Sequence, residues 1–125
     1  MPSSGDVRLR VALVPVGEVD PVVISWVKED LPGIFDAEVE VSPGIPLAGR
    51  HLVKGRNQYL ADGILGDFSS MVRAEGTALL GITEADLFSP GLNFVFGIAN
   101  RGRALISTFR LREEFYGPAR KPDGF

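Results

Sequence analysis

The first third of the chain alternates between apolar and polar positions in a way that predicts a strand followed by a helix. Val7 to Val16 begins with alternating apolar residues and becomes continuously apolar, which is typical of a strand buried on both faces of a sheet. Asp20 is the predicted N-cap of the helix and Pro21 its first residue, and Pro32-Gly33 should end it. The predicted core-facing stripe of this helix is Val22, Val23, Trp26 and Val27.

The middle of the chain predicts a half-exposed strand, a loop, a second helix and a buried strand. Ala37 to Ser42 alternates between apolar residues and glutamate, so one of its faces should be buried and the other exposed. Pro43 to Gly55 is rich in proline and glycine and is predicted to be a loop. Asn57 to Val72 has the apolar spacing of a helix, although its glycines weaken that prediction. Thr77 to Thr83 is predicted to be a short buried strand.

Two further strands near the C-terminus complete a mixed sheet. Asn93 to Ala99 and Ala104 to Phe109 are separated by the short turn Asn100-Arg101-Gly102, so they should be antiparallel neighbours. The order of elements predicts an α/β fold with a mixed, twisted sheet that is mostly parallel and has an antiparallel edge strand. Residues 1–125 are expected to form a single domain, and positions 116–125, which contain two glycines and two prolines, a tail or linker.

Composition excludes several classes of function. The chain of 125 residues has 13 basic and 16 acidic side chains and a formal net charge of -3, which argues against a nucleic-acid partner. It has no cysteine and one histidine, His51, which excludes a disulfide, a thiolate nucleophile and any metal site that needs two imidazoles from this chain. No signal peptide or membrane-spanning segment is recognised in the sequence. A cytoplasmic location without a membrane partner is therefore expected.

Few residues of the sequence suggest catalysis. The turn after the first predicted strand has one glycine and two acids, a composition that would repel a phosphate group. His51 is interpreted as a solvated loop residue. Glu84 and Asp86 are interpreted as turn residues that cap backbone amides, with acid–base chemistry as the alternative. Four arginines bracket the last strand and form either a solvated rim or a contact for a carboxylate-bearing partner: Arg101, Arg103, Arg110 and Arg112.

The predicted strand at the sheet edge is the least ordinary segment. It consists of Asn93, Phe94, Val95, Phe96, Gly97, Ile98 and Ala99. Apolar residues occur on both alternating faces although the strand should lie near an edge, and a central glycine allows another backbone to come close. One interpretation is that an extended peptide adds there as a further strand. The other is that a loop or a neighbouring subunit covers the segment, and the residues alone leave both open.

Six segments in order along most of the chain carry a resemblance to a known family. They are Val14 to Val19, Arg56 to Asp62, Gly81 to Phe88, Pro90 to Ala99, Ser107 to Arg112 and Phe115 to Gly117. These segments resemble the archaemetzincins, which are zinc metallopeptidases of the metzincin clan. The resemblance implies a metzincin-like N-terminal, sheet-bearing domain whose antiparallel edge strand roofs the active-site cleft and pairs with the substrate backbone. Asn93 to Ala99 matches that strand by position, so its residues are the candidate substrate-binding residues.

The resemblance does not extend to a zinc site. Metzincins bind zinc through the motif H-E-x-x-H-x-x-G-x-x-H, and archaemetzincins also carry a cysteine cluster suited to a second zinc ion. Neither is present in this chain. Zinc is therefore expected for the full-length family, whereas this chain alone is predicted to bind none and to have no catalytic or metal-ligating residue. The chain would be the front part of a longer polypeptide, a protein that lost its catalytic half, or one of two complementary chains.

These expectations give one main functional hypothesis and two alternatives. The chain is predicted to be the peptide-substrate-binding half of an archaemetzincin-like zinc metallopeptidase and to be inactive alone. The first alternative is a non-catalytic peptide- or protein-binding module that uses the same edge. The second is a domain that binds a small ligand at the carboxyl ends of the parallel strands. Because the zinc-binding helix packs on the sheet in the clan, one sheet face should expose an apolar patch that self-association or a second chain covers.

Overall fold

The computed structural model describes residues 9–34, 36–71 and 76–110 of the chain. The strands within these ranges are β1 (Leu9–Pro15), β2 (Ala37–Val41), β3 (Leu52–Val53), β4 (Gln58–Leu60), β5 (Thr77–Thr83), β6 (Leu87–Phe88), β7 (Gly97–Asn100) and β8 (Arg103–Ser107). The helices are α1 (Pro21–Ile34) and α2 (Ala61–Asp67), together with short 3-10 helices over Gly49–His51 and Phe68–Ser70.

The larger of two sheets has the strand order β2-β1-β5-β8-β7. Strand β1 pairs in parallel with β2 and β5, and β5 pairs in parallel with β8. Strand β7 pairs antiparallel with β8 at the edge. Arg101 and Gly102, which connect these two strands, both have positive φ (52° and 80°), as a two-residue type I′ turn requires. The predicted α/β fold with a mostly parallel sheet and an antiparallel edge strand is therefore confirmed.

The smaller sheet has the order β3-β4-β6 and corrects the predicted long second helix. Strand β4 pairs antiparallel with β3 and parallel with β6, and α2 begins only at Ala61. The Tyr59 amide donates a hydrogen bond to the Asp86 carbonyl (2.9 Å), so pairing between distant segments outweighs the local helical spacing. The segment Pro43 to Gly55, predicted to be a loop, also contains a 3-10 helix and β3.

The main core lies between the larger sheet and α2. Buried side chains from β1, β5, β8, α2 and the turn after α2 form it, among them Val14, Val16, Leu79, Leu105, Ile64 and Phe68. A Cβ atom at Gly81 in β5 would overlap the Phe68 ring. The glycine therefore lets this ring contact the sheet backbone, which is the kind of close approach that a glycine inside a strand permits.

Helix α1 begins as predicted, but its buried side differs from the prediction. The Val22 amide donates to Asp20 Oδ1 (2.9 Å), which confirms the N-cap, and the helix continues to Ile34. Val22 and Trp26 were predicted to face the core, yet they are 71% and 66% exposed. The half-buried residues are Val23, Ile24, Val27, Leu31 and Pro32. Both helix faces carry apolar residues, so local spacing alone does not identify the buried one.

The face of the larger sheet that carries α1 is covered unevenly by that helix. Helix α1 packs mainly against β2. Beside it lies an open groove of about 430 Å³, whose lining includes Leu9, Leu31, Leu80, Ala99 and Ala104. The lining of this groove is mainly apolar.

The boundaries of three predicted segments also need correction or comment. The predicted strand Asn93 to Ala99 is wrong in its first half, because β7 begins at Gly97 and Val95 instead forms a bridge with Leu87 of the smaller sheet. The predicted strand Ala104 to Phe109 is β8, which ends at Ser107. The predicted tail, 116–125, lies outside the described residues. In the described ranges, no helix has the length and hydropathy needed to cross a membrane.

Candidate functional site

The free side of β7 is the outer edge of the larger sheet. The Ser107 amide donates to the Phe96 carbonyl (2.8 Å), and in an antiparallel pair alternate residues direct both backbone polar groups at the partner strand. Ile98 and Asn100 therefore face β8, whereas Gly97 and Ala99 direct their N–H and C=O groups outward. No strand among residues 9–34, 36–71 and 76–110 pairs with that side. The edge can accept an added strand at these two residues.

The structure requires a glycine at position 97 for a different reason from the one that the sequence suggests. A Cβ atom at this position would lie 2.6 Å from the Leu105 carbonyl oxygen and 3.0 Å from Ile106 Cγ2. The close approach that glycine permits is therefore that of β7 to β8 within the sheet. A side chain at this position would disturb the edge strand itself, so Gly97 variants are unsuitable for testing what binds on the outer side.

The segment before β7 is held by side chains from the smaller sheet and the turn beside it. Arg56 Nη2 donates to the carbonyl oxygens of Leu92 and Asn93, both at 3.0 Å. Gln58 Nε2 also donates to the Asn93 carbonyl (2.9 Å), and the Val95 amide donates to the Leu87 carbonyl (3.0 Å). The chain from position 92 to position 95 is thus fixed by hydrogen bonds although it has no regular secondary structure.

Asp86 connects Gln58, which holds the segment before β7, to Arg110, which follows β8. Arg110 donates to it through Nε (3.1 Å, to Oδ1) and Nη2 (2.9 Å, to Oδ2), and Gln58 Nε2 donates to Oδ2 (3.1 Å). The Asp86 side chain is 11% exposed and that of Arg110 35%. Arg56 Nε in turn donates to Gln58 Oε1 (2.8 Å). Asp86 is therefore the carboxylate of a structural ion pair, and the prediction that it caps backbone amides is wrong, because the donors to its carboxylate among the described residues are side chains.

Two exposed aromatic rings lie on the segment that this network holds. Phe94 and Phe96 are 38% and 46% exposed and pack edge to face, with their ring centres 5.5 Å apart. The Arg110 guanidinium lies 4.4 Å from the centre of the Phe94 ring, a distance suited to a cation–π contact. The sequence singled out both phenylalanines, but it gave no reason to place Arg56 and Gln58 beside them. Arg56 lies two residues before β4, and Gln58 is the first residue of β4. Only the pairing of β4 with β6 brings them to this segment.

His51 is not the solvated residue that the sequence predicts. Its side chain is 11% exposed, and its Nε2 lies 2.9 Å from Asp67 Oδ2, while Arg50 Nη2 donates to Asp67 Oδ1 (2.6 Å). Burial by itself raises the pKa of Asp67, but the hydrogen bonds from His51 and Arg50 lower that pKa below its ordinary value. A Cβ atom at Gly63 would overlap the imidazole. His51 therefore joins the loop before β3 to α2.

Each remaining candidate residue that the structure describes has its own place in the fold. Glu84 Oε2 accepts a hydrogen bond from the Asp20 amide (2.7 Å), which agrees with the predicted capping role. Arg101 is exposed in the β7–β8 turn and Arg103 lies at the start of β8. Arg112 lies outside the described residues. Arg110, three residues after the end of β8, donates hydrogen bonds to Asp86.

The residues that the structure describes do not form a catalytic zinc site. Within the part that the structure describes, no group of three or more histidine, cysteine, aspartate or glutamate side chains is arranged to hold a metal ion. The whole sequence has one histidine and no cysteine, and the histidine Nε2 is directed at Asp67. Catalytic zinc sites use three protein ligands, commonly histidines, together with water.

Comparison with known proteins shows that the chain is similar to archaemetzincins and to a zinc-dependent peptidase. The chain is 40% identical over 124 residues to an archaemetzincin of Pyrococcus furiosus, a match that covers 91% of this chain and 65% of the relative. A crystal structure of an archaemetzincin from Archaeoglobus fulgidus, in complex with malonate, matches with a TM-score of 0.71 and 32% identity over 82% of this chain and 62% of that one. A crystal structure of a zinc-dependent peptidase from Methanocorpusculum labreanum matches with a TM-score of 0.71 and 25% identity, covering 86% and 68%.

The matches are partial with respect to the relatives. The chain spans less than two thirds of the length of the curated archaemetzincins that it matches. No protein-family model matches the chain. The likeness in sequence nevertheless covers 91% of this chain for the relative from Pyrococcus furiosus and 89% for an archaemetzincin of Pyrococcus abyssi.

Proposed function

This chain is homologous to the archaemetzincins over about nine tenths of its own length, and from that premise we propose that it is the peptide-substrate-binding part of an archaemetzincin-like zinc metallopeptidase. The observation that carries the proposal is the free edge of β7. An extended peptide would add there as a further strand and exchange hydrogen bonds with the outward N–H and C=O groups of Gly97 and Ala99.

The length of the edge limits what backbone pairing can contribute. A typical intramolecular hydrogen bond contributes a net of only about 0.5–1.5 kcal/mol, and the edge presents the polar groups of two residues. Backbone pairing also carries little information about the sequence of the peptide. Binding through the edge alone should therefore be weak and broad, and the edge would orient a peptide more than select it.

The proposal also includes inactivity of this chain in isolation. His51 is engaged by Asp67, and the sequence has no further histidine and no cysteine to complete a zinc site. A non-catalytic peptide- or protein-binding module is the second candidate, and the same edge favours it because strand addition needs no metal ion. Reading the gene beyond the codon for Phe125 in all frames separates the two: a histidine motif of the metzincin type there favours the peptidase part.

Ala99 offers a sharp test of peptide binding. Its amide faces outward, so Ala99→Pro removes that donor and places a ring on the free edge while leaving the hydrogen bonds to β8 intact. We expect Ala99→Pro to weaken the binding of labelled extended peptides about tenfold or more in fluorescence anisotropy. Ala99→Ser keeps the amide and should bind like the unaltered chain. Equal binding by both variants would contradict the role of the edge.

Hydrolysis is tested separately. The purified chain is mixed with a quenched fluorescent peptide library in the presence of zinc, with and without a chelator. We expect no turnover in either sample. Cleavage that the chelator abolishes would overturn the proposed inactivity.

The apolar groove beside α1 supports a contact with a second chain, which is a further part of the proposal. Its lining combines Leu9 of β1 with Leu31 of α1 and Leu80 of β5. Sedimentation velocity over a range of concentrations tests self-association. If the chain self-associates through this groove, Leu80→Glu should shift it toward the monomer, whereas a chain that is monomeric at all concentrations would leave a different chain as the partner.

A further inference from the structure

The free edge of β7 is closed at both ends. At one end the Val95 amide donates to the Leu87 carbonyl, so a strand of the smaller sheet pairs with the chain two residues before Gly97. At the other end the chain reverses through the type I′ turn at Arg101 and Gly102. A peptide that pairs with Gly97 and Ala99 therefore leaves the edge after a few residues, and its next residue at the Gly97 end passes the segment that carries Phe94 and Phe96.

Phe94 and Phe96 form an exposed aromatic surface at that end, named the aromatic shelf here. Large aromatic side chains are usually buried, and a fixed exposed pair next to a polar backbone edge has the composition of a binding surface. The shelf is held in place, because Arg56 and Gln58 anchor the carbonyl groups just before it and the Phe96 carbonyl accepts from Ser107. Little ordering would be needed when a ligand binds.

The charge around the shelf argues for an apolar ligand group. Arg110 contacts the Phe94 ring, but its Nε and Nη2 atoms are directed at the Asp86 carboxylate. That pair has no net charge, and Arg56 already donates through Nε to Gln58 and through Nη2 to two backbone carbonyl groups before the shelf. The bonded nitrogen atoms of the two arginines are therefore not directed at a ligand. A large apolar side chain, in contrast, gains by removing its own surface and that of the two rings from water.

From these observations we infer that the aromatic shelf selects extended peptides with a large aliphatic or aromatic side chain at the residue just beyond the Gly97 end of the paired edge. This inference rests on the proposed function, since it assumes that a peptide pairs with β7. The edge supplies the orientation of the peptide, and the shelf supplies the preference for its sequence.

The test compares peptides that differ at one position. Labelled extended peptides carry leucine, phenylalanine, serine or glutamate at successive positions in an otherwise constant sequence, and their affinities are measured by fluorescence anisotropy. We expect one position at which leucine or phenylalanine binds about tenfold more tightly than serine or glutamate. Phe96→Ser and Phe94→Ser should each reduce this ratio severalfold and leave the affinity for the serine peptide unchanged. Phe96→Leu should retain most of it.

The control and the opposing outcomes are defined by the structure. Ile34→Ser removes an exposed apolar side chain of α1 and should keep the preference. Thermal unfolding followed by circular dichroism checks that each variant folds. Two outcomes would overturn the inference while the proposed function stands. In the first, Ala99→Pro abolishes binding, but the peptides show no apolar preference at any position. In the second, both serine variants retain the preference. Absence of binding by every peptide contradicts the proposed function and the inference together. Loss of self-association in Phe96→Ser, without any effect on peptides, would show that the shelf serves contact between copies instead.

Discussion

The ion pair between Asp86 and Arg110 should contribute measurably to stability, because its carboxylate is largely shielded from water. A charge-assisted hydrogen bond contributes about 1.5–3 kcal/mol, whereas an exposed ion pair contributes about 0–1 kcal/mol. Asp86 is 11% exposed and Arg110 35%, so a discount for solvent screening applies to the arginine. We therefore expect a coupling energy of about 1–2 kcal/mol between the two side chains.

A double-mutant cycle measures this coupling directly. Asp86→Asn, Arg110→Gln and the double variant are unfolded in urea and followed by far-ultraviolet circular dichroism, and the free energies of unfolding are combined. Arg50 and Asp67 provide a matched control pair, since the Arg50 side chain is 67% exposed, and their coupling should be smaller. A coupling for Asp86 and Arg110 that does not exceed that of the control pair would refute the reasoning.

Three further perturbations have defined outcomes in unfolding experiments. Gly63→Ala should lower the free energy of unfolding by about 1–3 kcal/mol, because its Cβ displaces His51. Gly66→Ala in the same helix meets no neighbour and should raise this free energy by about 0.5–1 kcal/mol. Equal effects of the two variants would contradict the contact between Gly63 and His51. The lowered pKa of Asp67 means that its carboxylate stabilises the fold above the ordinary value of 3.8 and that this stability is lost as the pH falls through the lowered value. Asp67→Asn should therefore lower the free energy of unfolding at neutral pH. In this variant that free energy should also fall less steeply as the pH is lowered. Asp20→Ala should cost about 1 kcal/mol through loss of the N-cap, and Asp20→Asn much less.

The elements that local chemistry determines were predictable from the sequence. Asp20 and Pro21 mark the start of α1, and the asparagine-arginine-glycine turn joins β7 to β8 as expected. The buried strand from Thr77 to Thr83 is β5 with the same bounds. In these cases the signal lies within a few consecutive residues: a cap, a turn that requires positive φ, or a short continuous apolar run.

The elements that distant partners determine were not predictable in this way. Gln58–Leu60 is a strand because it pairs with β6, nearly thirty residues later along the chain, and its local spacing suits a helix equally well. His51 is buried because α2 places Gly63 and Asp67 beside it, and neither contact leaves a pattern near position 51. The outward groups at the candidate edge follow from the register between β7 and β8, which the turn sets. The predicted turn of three residues did not give this register, because Asn100 belongs to β7 and pairs with the first residue of β8.

The position of the one tryptophan has a practical consequence for spectroscopy of this protein. Trp26 is the sole indole in the sequence, and it is largely in water on the outer side of α1. Its emission should already be red-shifted in the native state, so it will change little on denaturation. Helix α1 packs mainly on β2, at the opposite end of the sheet from β7, so peptides at that edge should leave the signal untouched. A blue shift on mixing with another macromolecule would therefore report that its surface has docked on the outer side of this helix.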